Sequence, residues 1–178
     1  MLDFDSFKIA LKKATKESFL KLKDVPDLYA FALFSDEYCQ TILAVANTAS
    51  HLKKMREDYE DLESLNCKFS PEEWDFTLLN SESKFEQLTS LLAKKDEYEK
   101  NEKEFTSFQN QFYSICFDTL FELKEEGFFK ENYSKDIFLI FEASEYELES
   151  LKQKQIIKSL NDNEYAKEYL NWMNTWEE

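Results

Sequence analysis

Apolar positions recur at helical spacing near the N-terminus. Phe4, Phe7, Leu11, Ala14, Phe19 and Leu22 fall on one stripe, which predicts an amphipathic helix. Asp3 or Asp5 can cap it. Its outer face carries Lys8, Lys12, Lys13, Lys16, Lys21 and Lys23, and Asp24, Pro26 and Asp27 end it. The pattern then changes. Leu28–Phe34 is apolar at every position, which suits a strand covered on both faces. Ser35-Asp36-Glu37 marks a turn and Thr41–Ala46 reads as a second strand; the short gap predicts an antiparallel hairpin.

Beyond the hairpin, Leu52, Met55, Tyr59 and Leu62 give the seam of a helix that Asn47, Thr48 or Ser50 can cap and that Cys67 to Pro71 breaks. Ser70-Pro71-Glu72-Glu73 has the form of a capping box with Pro at the first helical position, so a short helical turn carrying Trp74 is expected. Phe76 to Leu79 fits either helix or strand. Ser83-Lys84-Phe85-Glu86 is a second capping box, ahead of Phe85, Leu88, Leu91 and Leu92 on one helix face. Asp96 to Glu104 reads as an exposed charged joint. Phe105, Phe108, Phe112, Ile115, Thr119 and Leu123 form the longest regular stripe, a core face, with Gly127 where a C-terminal cap belongs. Lys130 to Lys135 leads into a third buried strand, Ile137–Phe141, and the acidic run Glu142 to Glu149 follows it. Leu148, Leu151, Ile156 or Ile157, and Leu160 read as helix. Asn161-Asp162-Asn163 interrupts, and a last helix carries Tyr165, Tyr169, Trp172 and Trp176.

Three apolar runs among five or more helices give an α+β class: a small, largely antiparallel sheet of three or more strands covered by amphipathic helices. A fourth strand would lie near Phe76 or Phe128. The chain reads as a single globular acidic domain over residues 1–178, and its 17 Phe, 9 Tyr and 3 Trp supply ample core material.

Composition narrows the chemistry. The one glycine, Gly127, excludes a glycine-rich phosphate loop. The one histidine, His51, excludes a two-histidine metal site. Cys39, Cys67 and Cys116 are odd in number and widely spaced, which reads as free buried thiols in a reducing compartment. Met1–Lys8 carries early acids and no apolar core, so no signal peptide is expected. The longest uncharged stretch, Tyr38 to Leu52, is too short and polar to span a bilayer. A cytoplasmic location is expected, with no cofactor. The net charge is −15, and the bases are 21 Lys with a single arginine, Arg56. Such a chain is repelled by nucleic acid and anionic membranes and attracts a basic protein. Most of the charge lies late: residues 1–95 are net −4 (13 bases, 17 acids) and residues 96–178 net −11 (9 bases, 20 acids).

The order of elements also carries a resemblance. A basic amphipathic helix leads to Tyr29-Ala30-Phe31-Ala32-Leu33, followed by Val45-Ala46-Asn47-Thr48, the Ser70-Pro71-Glu72-Glu73-Trp74 turn, and Asp136-Ile137-Phe138 late in the chain. Together these resemble the bacterial domain-of-unknown-function family 4303 over nearly the whole chain. The resemblance supplies no catalytic residues. It implies a small bacterial cytoplasmic protein of the type found beside polymorphic toxins as an immunity partner.

Candidate sites follow from charge and aromatic placement. Glu142, Glu145, Glu147 and Glu149 follow a strand end, a common place for sites, and form either a partner-facing acidic patch or a general acid and base pair. Trp172 and Trp176 share a face of the terminal helix and either dock on the domain or meet a partner. Asn47, Thr48, Ser50 and His51 lie between strand and helix, where a small anion could sit on backbone N–H groups; helix capping is the simpler reading. Glu57 and Asp61, four apart, suit either a hard cation or a solvated face. The balance favours a non-catalytic protein-binding domain, of the immunity type that neutralises a basic, nuclease-like toxin. The alternatives are a carboxylate-dependent enzyme and a regulatory adaptor.

Overall fold

The apolar run at Leu28 forms the middle strand of a three-stranded sheet. In the computed structural model, which describes residues 2–57, 61–75, 83–93, 101–144 and 150–177, β1 (Leu28–Ser35) lies between β2 (Ile42–Thr48) and β3 (Phe138–Ala143). β1 and β2 are an antiparallel hairpin with Phe31 opposite Ala46 and Leu33 opposite Ala44. β3 joins parallel to β1, with Phe31 level with Leu139 and Phe34 level with Glu142. The hairpin turn hangs on Asp36, whose carboxylate accepts from the backbone N–H groups of Tyr38, Gln40 and Thr41 and from the Thr41 hydroxyl. These bonds fix a turn in which Cys39 takes φ 54°, a conformation few non-glycine residues adopt.

Both faces of the sheet are covered, which is why β1 shows no polar alternation. On one face Phe31, Leu33, Leu139 and Phe141 meet α1 (Phe4–Leu20), α4 (Ser83–Leu92), α5 (Glu102–Glu125) and α6 (Phe128–Asn132). Phe7 and Phe19 of α1, Phe85 of α4, and Phe112 and Leu120 of α5 fill this layer. On the other face Ala30, Ala32, Phe138 and Ile140 meet α2 (Ala49–Arg56), α3 (Asp61–Phe69) and α8 (Glu164–Met173) through Leu52, Phe69 and Tyr169. Helix α7 (Ser150–Leu160) serves both, with Leu160 in the first layer and Ile157 in the second. Each large side chain so buried contributes roughly 1.5–3 kcal/mol over exposure. The class is α+β, with a mixed sheet. Cys39, Cys67 and Cys116 are free and buried. No described helix is long and apolar enough to cross a membrane.

Local signals account for the helix ends. Asp3 caps α1 by accepting from the Ser6 N–H at 3.2 Å. Asn101 caps α5 in the same way, accepting from Glu104. Gly127, at φ 74°, turns the chain out of α5 and into α6, a left-handed position that favours glycine.

Several expectations are corrected. β3 continues past Phe141, so Glu142 lies within the strand and not after it. α3 continues through Cys67 to Phe69, both buried, and stops only at Ser70. Phe128 is helical, in α6, which removes it as a fourth strand. Leu91 is 45% exposed; Phe85, Leu88 and Leu92 carry the buried face of α4. Phe76 to Leu79 lies outside the described residues, as does most of the Asp96 to Glu104 joint.

The lysines of α1 do not all face water. Lys8 lies 2.7 Å from Glu122 and 3.5 Å from Asp118; Lys12 lies 2.6 Å from both Glu122 and Glu126; Lys16 lies 3.0 Å from Glu126. The lysines recur every four residues on α1, and so do the acids on α5, so the two rows face one another as a ladder. Hydrogen bonds from Lys12 and then Lys8 hold the Glu122 carboxyl below its ordinary range. The ladder neutralises part of the acidic C-terminal half.

Candidate functional site

The C-terminal end of β3 meets the start of the Pro71 turn on the second face of the sheet. Glu142 shares this face with Phe138 and Ile140, four and two residues earlier, as strand alternation requires. The Ser70 hydroxyl donates to Glu142 Oε1 at 3.0 Å. The expected capping box is therefore not made. Pro71–Glu73 is a single 3-10 turn with Pro at its start, and Ser70 provides no side-chain cap. Burial pushes the Glu142 carboxyl up to about 7, against the pull of the Ser70 hydrogen bond, and the charge of Glu72 adds to the rise. Trp74 closes the turn. It is buried, and among the described residues its indole N–H has no acceptor.

Tyr169 links this carboxyl to the terminal aromatics. It is 1% exposed, and its hydroxyl accepts from Gln153 at 2.7 Å. Burial raises the phenol, and the field of Glu142 raises it further. The Tyr169 ring lies 5.7 Å from Trp172 and 6.3 Å from Trp176, centroid to centroid. Trp172 stacks on Phe69 at 5.9 Å, and Trp176 stands edge-on to Trp172 at 4.7 Å. The two tryptophans thus have different environments. Trp172 is half-buried against the core, whereas Trp176, in the 3-10 turn Asn174–Glu177, is 49% exposed.

Charged groups lie beside Tyr165, on the first turn of α8. Lys68 lies 2.5 Å from Glu168 and over the rings of Phe69 and Tyr165. Burial raises the Tyr165 phenol, and the charges of Asp136 and Glu168 add to it. Glu72, Glu73 and Asp136 make no ion pair with a described residue. Glu145, Glu147 and Glu149 lie outside the described residues.

The second candidate group converges at the start of α2, with its hydrogen bonds made inside the fold. Asn47 is buried; its amide donates to the Tyr29 hydroxyl at 2.9 Å and its oxygen accepts from the Thr48 N–H. Tyr29 in turn donates to the Lys68 carbonyl at 2.8 Å. Thr48 caps α2 by accepting from the His51 N–H at 3.1 Å. Ser50 donates its N–H and its hydroxyl to Asp27, and the hydroxyl bond holds that carboxyl below its ordinary range. His51 Nε2 lies 3.3 Å from the Glu73 carbonyl. The negative group at this helix start is thus the chain's own Asp27. Of the Glu57 and Asp61 pair, only the Glu57 side chain is described, at the end of α2. Among the described residues no three His, Cys, Asp or Glu side chains converge as metal ligands.

Ser70, Tyr169 and Gln153 were not singled out as site residues from sequence, since nothing in their local spacing marks a partner dozens of residues away.

The chain belongs to the family described as a domain of unknown function (DUF4303), which it matches over residues 10–162. Ser70 and Glu142 lie inside the matched region, and Trp172 and Trp176 lie beyond it. No curated protein and no solved structure matches the chain.

Proposed function

We propose that this chain is a non-catalytic protein-binding domain whose contact surface is built on Trp176. The observation that carries the reading is the placement of Trp176: half exposed, yet held edge-on to Trp172, which itself rests on buried Phe69 and Tyr169. A rigid aromatic anchor with little entropy left to lose is what a binding hot spot requires. The net charge of −15 supplies a negative field. Complementary charge would speed association with a basic partner and make it salt-sensitive.

Such a partner fits an immunity role, in which an acidic protein covers the positive cleft of a nucleic-acid-cutting toxin. The net charge of −15 supports that version. It is tested by titrating the chain against any basic secreted product encoded beside it, at low and high salt. Tight binding weakened by salt and by Trp176→Ala is expected; absence of binding to that product contradicts the immunity version.

One observation favours a second reading, a carboxylate-dependent enzyme. A carboxyl poised near pH 7 beside a hydroxyl, as Glu142 is beside Ser70, has the properties of a general acid or base. A turnover that Glu142→Gln abolishes would establish this reading and overturn the first; a turnover that survives it would remove Glu142 from the chemistry.

A further inference from the structure

A groove of about 350 Å³ lies between α5 and α7, on the first face of the sheet and apart from the tryptophans. Its floor is apolar: Tyr113, Phe117, Phe141 and Ile156, with the Tyr113 and Phe141 rings 5.3 Å apart. Volume and lining fall in the range of small-molecule sites, which combine an apolar bed with a few polar groups at the edge. The edge has that character here. Asn110, Ser114, Lys152 and Gln155 are exposed and line the groove, and none uses its side chain in a hydrogen bond or ion pair with a described residue.

The described lining carries a positive charge in a strongly acidic chain. Among the described residues that line the groove none is acidic, and the one charged side chain is Lys152. We infer that the α5–α7 groove binds a small aromatic carboxylate. Its flat apolar body lies on Tyr113, Phe117 and Phe141, and its carboxylate meets Lys152 with Asn110, Ser114 and Gln155 as hydrogen-bond donors. The rings select a planar body through offset or edge contacts, and the ammonium of Lys152 selects the anion.

The test titrates the full chain with 2-naphthoate and, in parallel, with the uncharged 2-naphthol, followed by backbone amide NMR. Saturable shifts confined to α5, α7 and the end of β3 are expected with 2-naphthoate. Lys152→Gln should weaken 2-naphthoate about five-fold, the effect of one exposed ion pair, and leave 2-naphthol unchanged. Ser114→Trp, at an exposed position, should fill the groove and abolish binding of both; Ser114→Leu serves if the larger residue disturbs the amide spectrum. No saturable shift, shifts mapping elsewhere, or binding that survives a folded Ser114 variant would overturn the site. An equal response of both ligands to Lys152→Gln would overturn the carboxylate assignment.

Discussion

The Ser70 hydroxyl donates to Glu142 Oε1 at 3.0 Å across 72 residues of sequence, tying the end of α3 to the end of β3. It holds in place a carboxyl that burial pushes up to about 7 from an ordinary 4.5. Such a group binds more protons folded than unfolded between those two values, so its contribution falls as the pH rises through that window. Above pH 7 the cost reaches at most about 3 kcal/mol.

Glu142→Gln keeps an acceptor for Ser70 and removes the charge. The variant should be more stable than the wild type at pH 8, by up to about 3 kcal/mol, and equal to it near pH 4.5. Urea unfolding at the two pH values measures this. A constant difference at both would show that Glu142 is not the titrating group.

Asn161 replaces a missing strand neighbour. Its side-chain amide accepts from the Leu139 N–H at 2.7 Å and donates to the Leu139 carbonyl at 2.8 Å. Asn161→Ala leaves both backbone groups without these partners, which should cost about 2–4 kcal/mol. It should also speed hydrogen exchange at Leu139 ahead of the β1 amides. Exchange unchanged at Leu139 would contradict this role.

The α1–α5 ladder is weaker, being part-exposed. Glu122→Gln should lose about 0.5–1 kcal/mol at pH 7, and the difference should shrink in 1 M salt. Because the Glu122 carboxyl titrates lower when folded, this contribution is present above its unfolded value and is lost as the pH falls through the folded one. Melting temperatures of the pair at low and high salt check it; a difference that salt does not alter would indicate packing, not charge.

Elements whose cause is local were legible in the sequence. The unbroken apolar run at Leu28 marks a doubly covered strand, the Phe112 to Leu123 stripe marks α5, and Gly127 marks its end. Causes that act across the chain were not. Ser70 sits in a capping-box pattern, yet a buried carboxyl competes for its hydroxyl and wins. The parallel pairing of β3 with β1 leaves no signal in either strand, because a buried strand reads alike in both orientations. Glu142 reads from sequence as the start of the acidic run to Glu149, whereas strand alternation turns it inward. Trp172 and Trp176 look equivalent at helical spacing; they diverge because the chain changes to a 3-10 turn at Asn174. Asn47 looked free to bind because its amide partner, Tyr29, is 18 residues away on the neighbouring strand.

The account rests on a surface anchor at Trp176, and one comparison tests it most directly. Tagged wild-type chain and Trp176→Ala are used to capture partners from lysate of the source cells expressing the neighbouring secreted product, at low and high salt, with melting curves of both proteins recorded. The account predicts a basic protein recovered by the wild type at low salt, less at high salt, and lost with Trp176→Ala, whose melting temperature stays near that of the wild type. Equal recovery by both proteins, or no recovery by either, would contradict it.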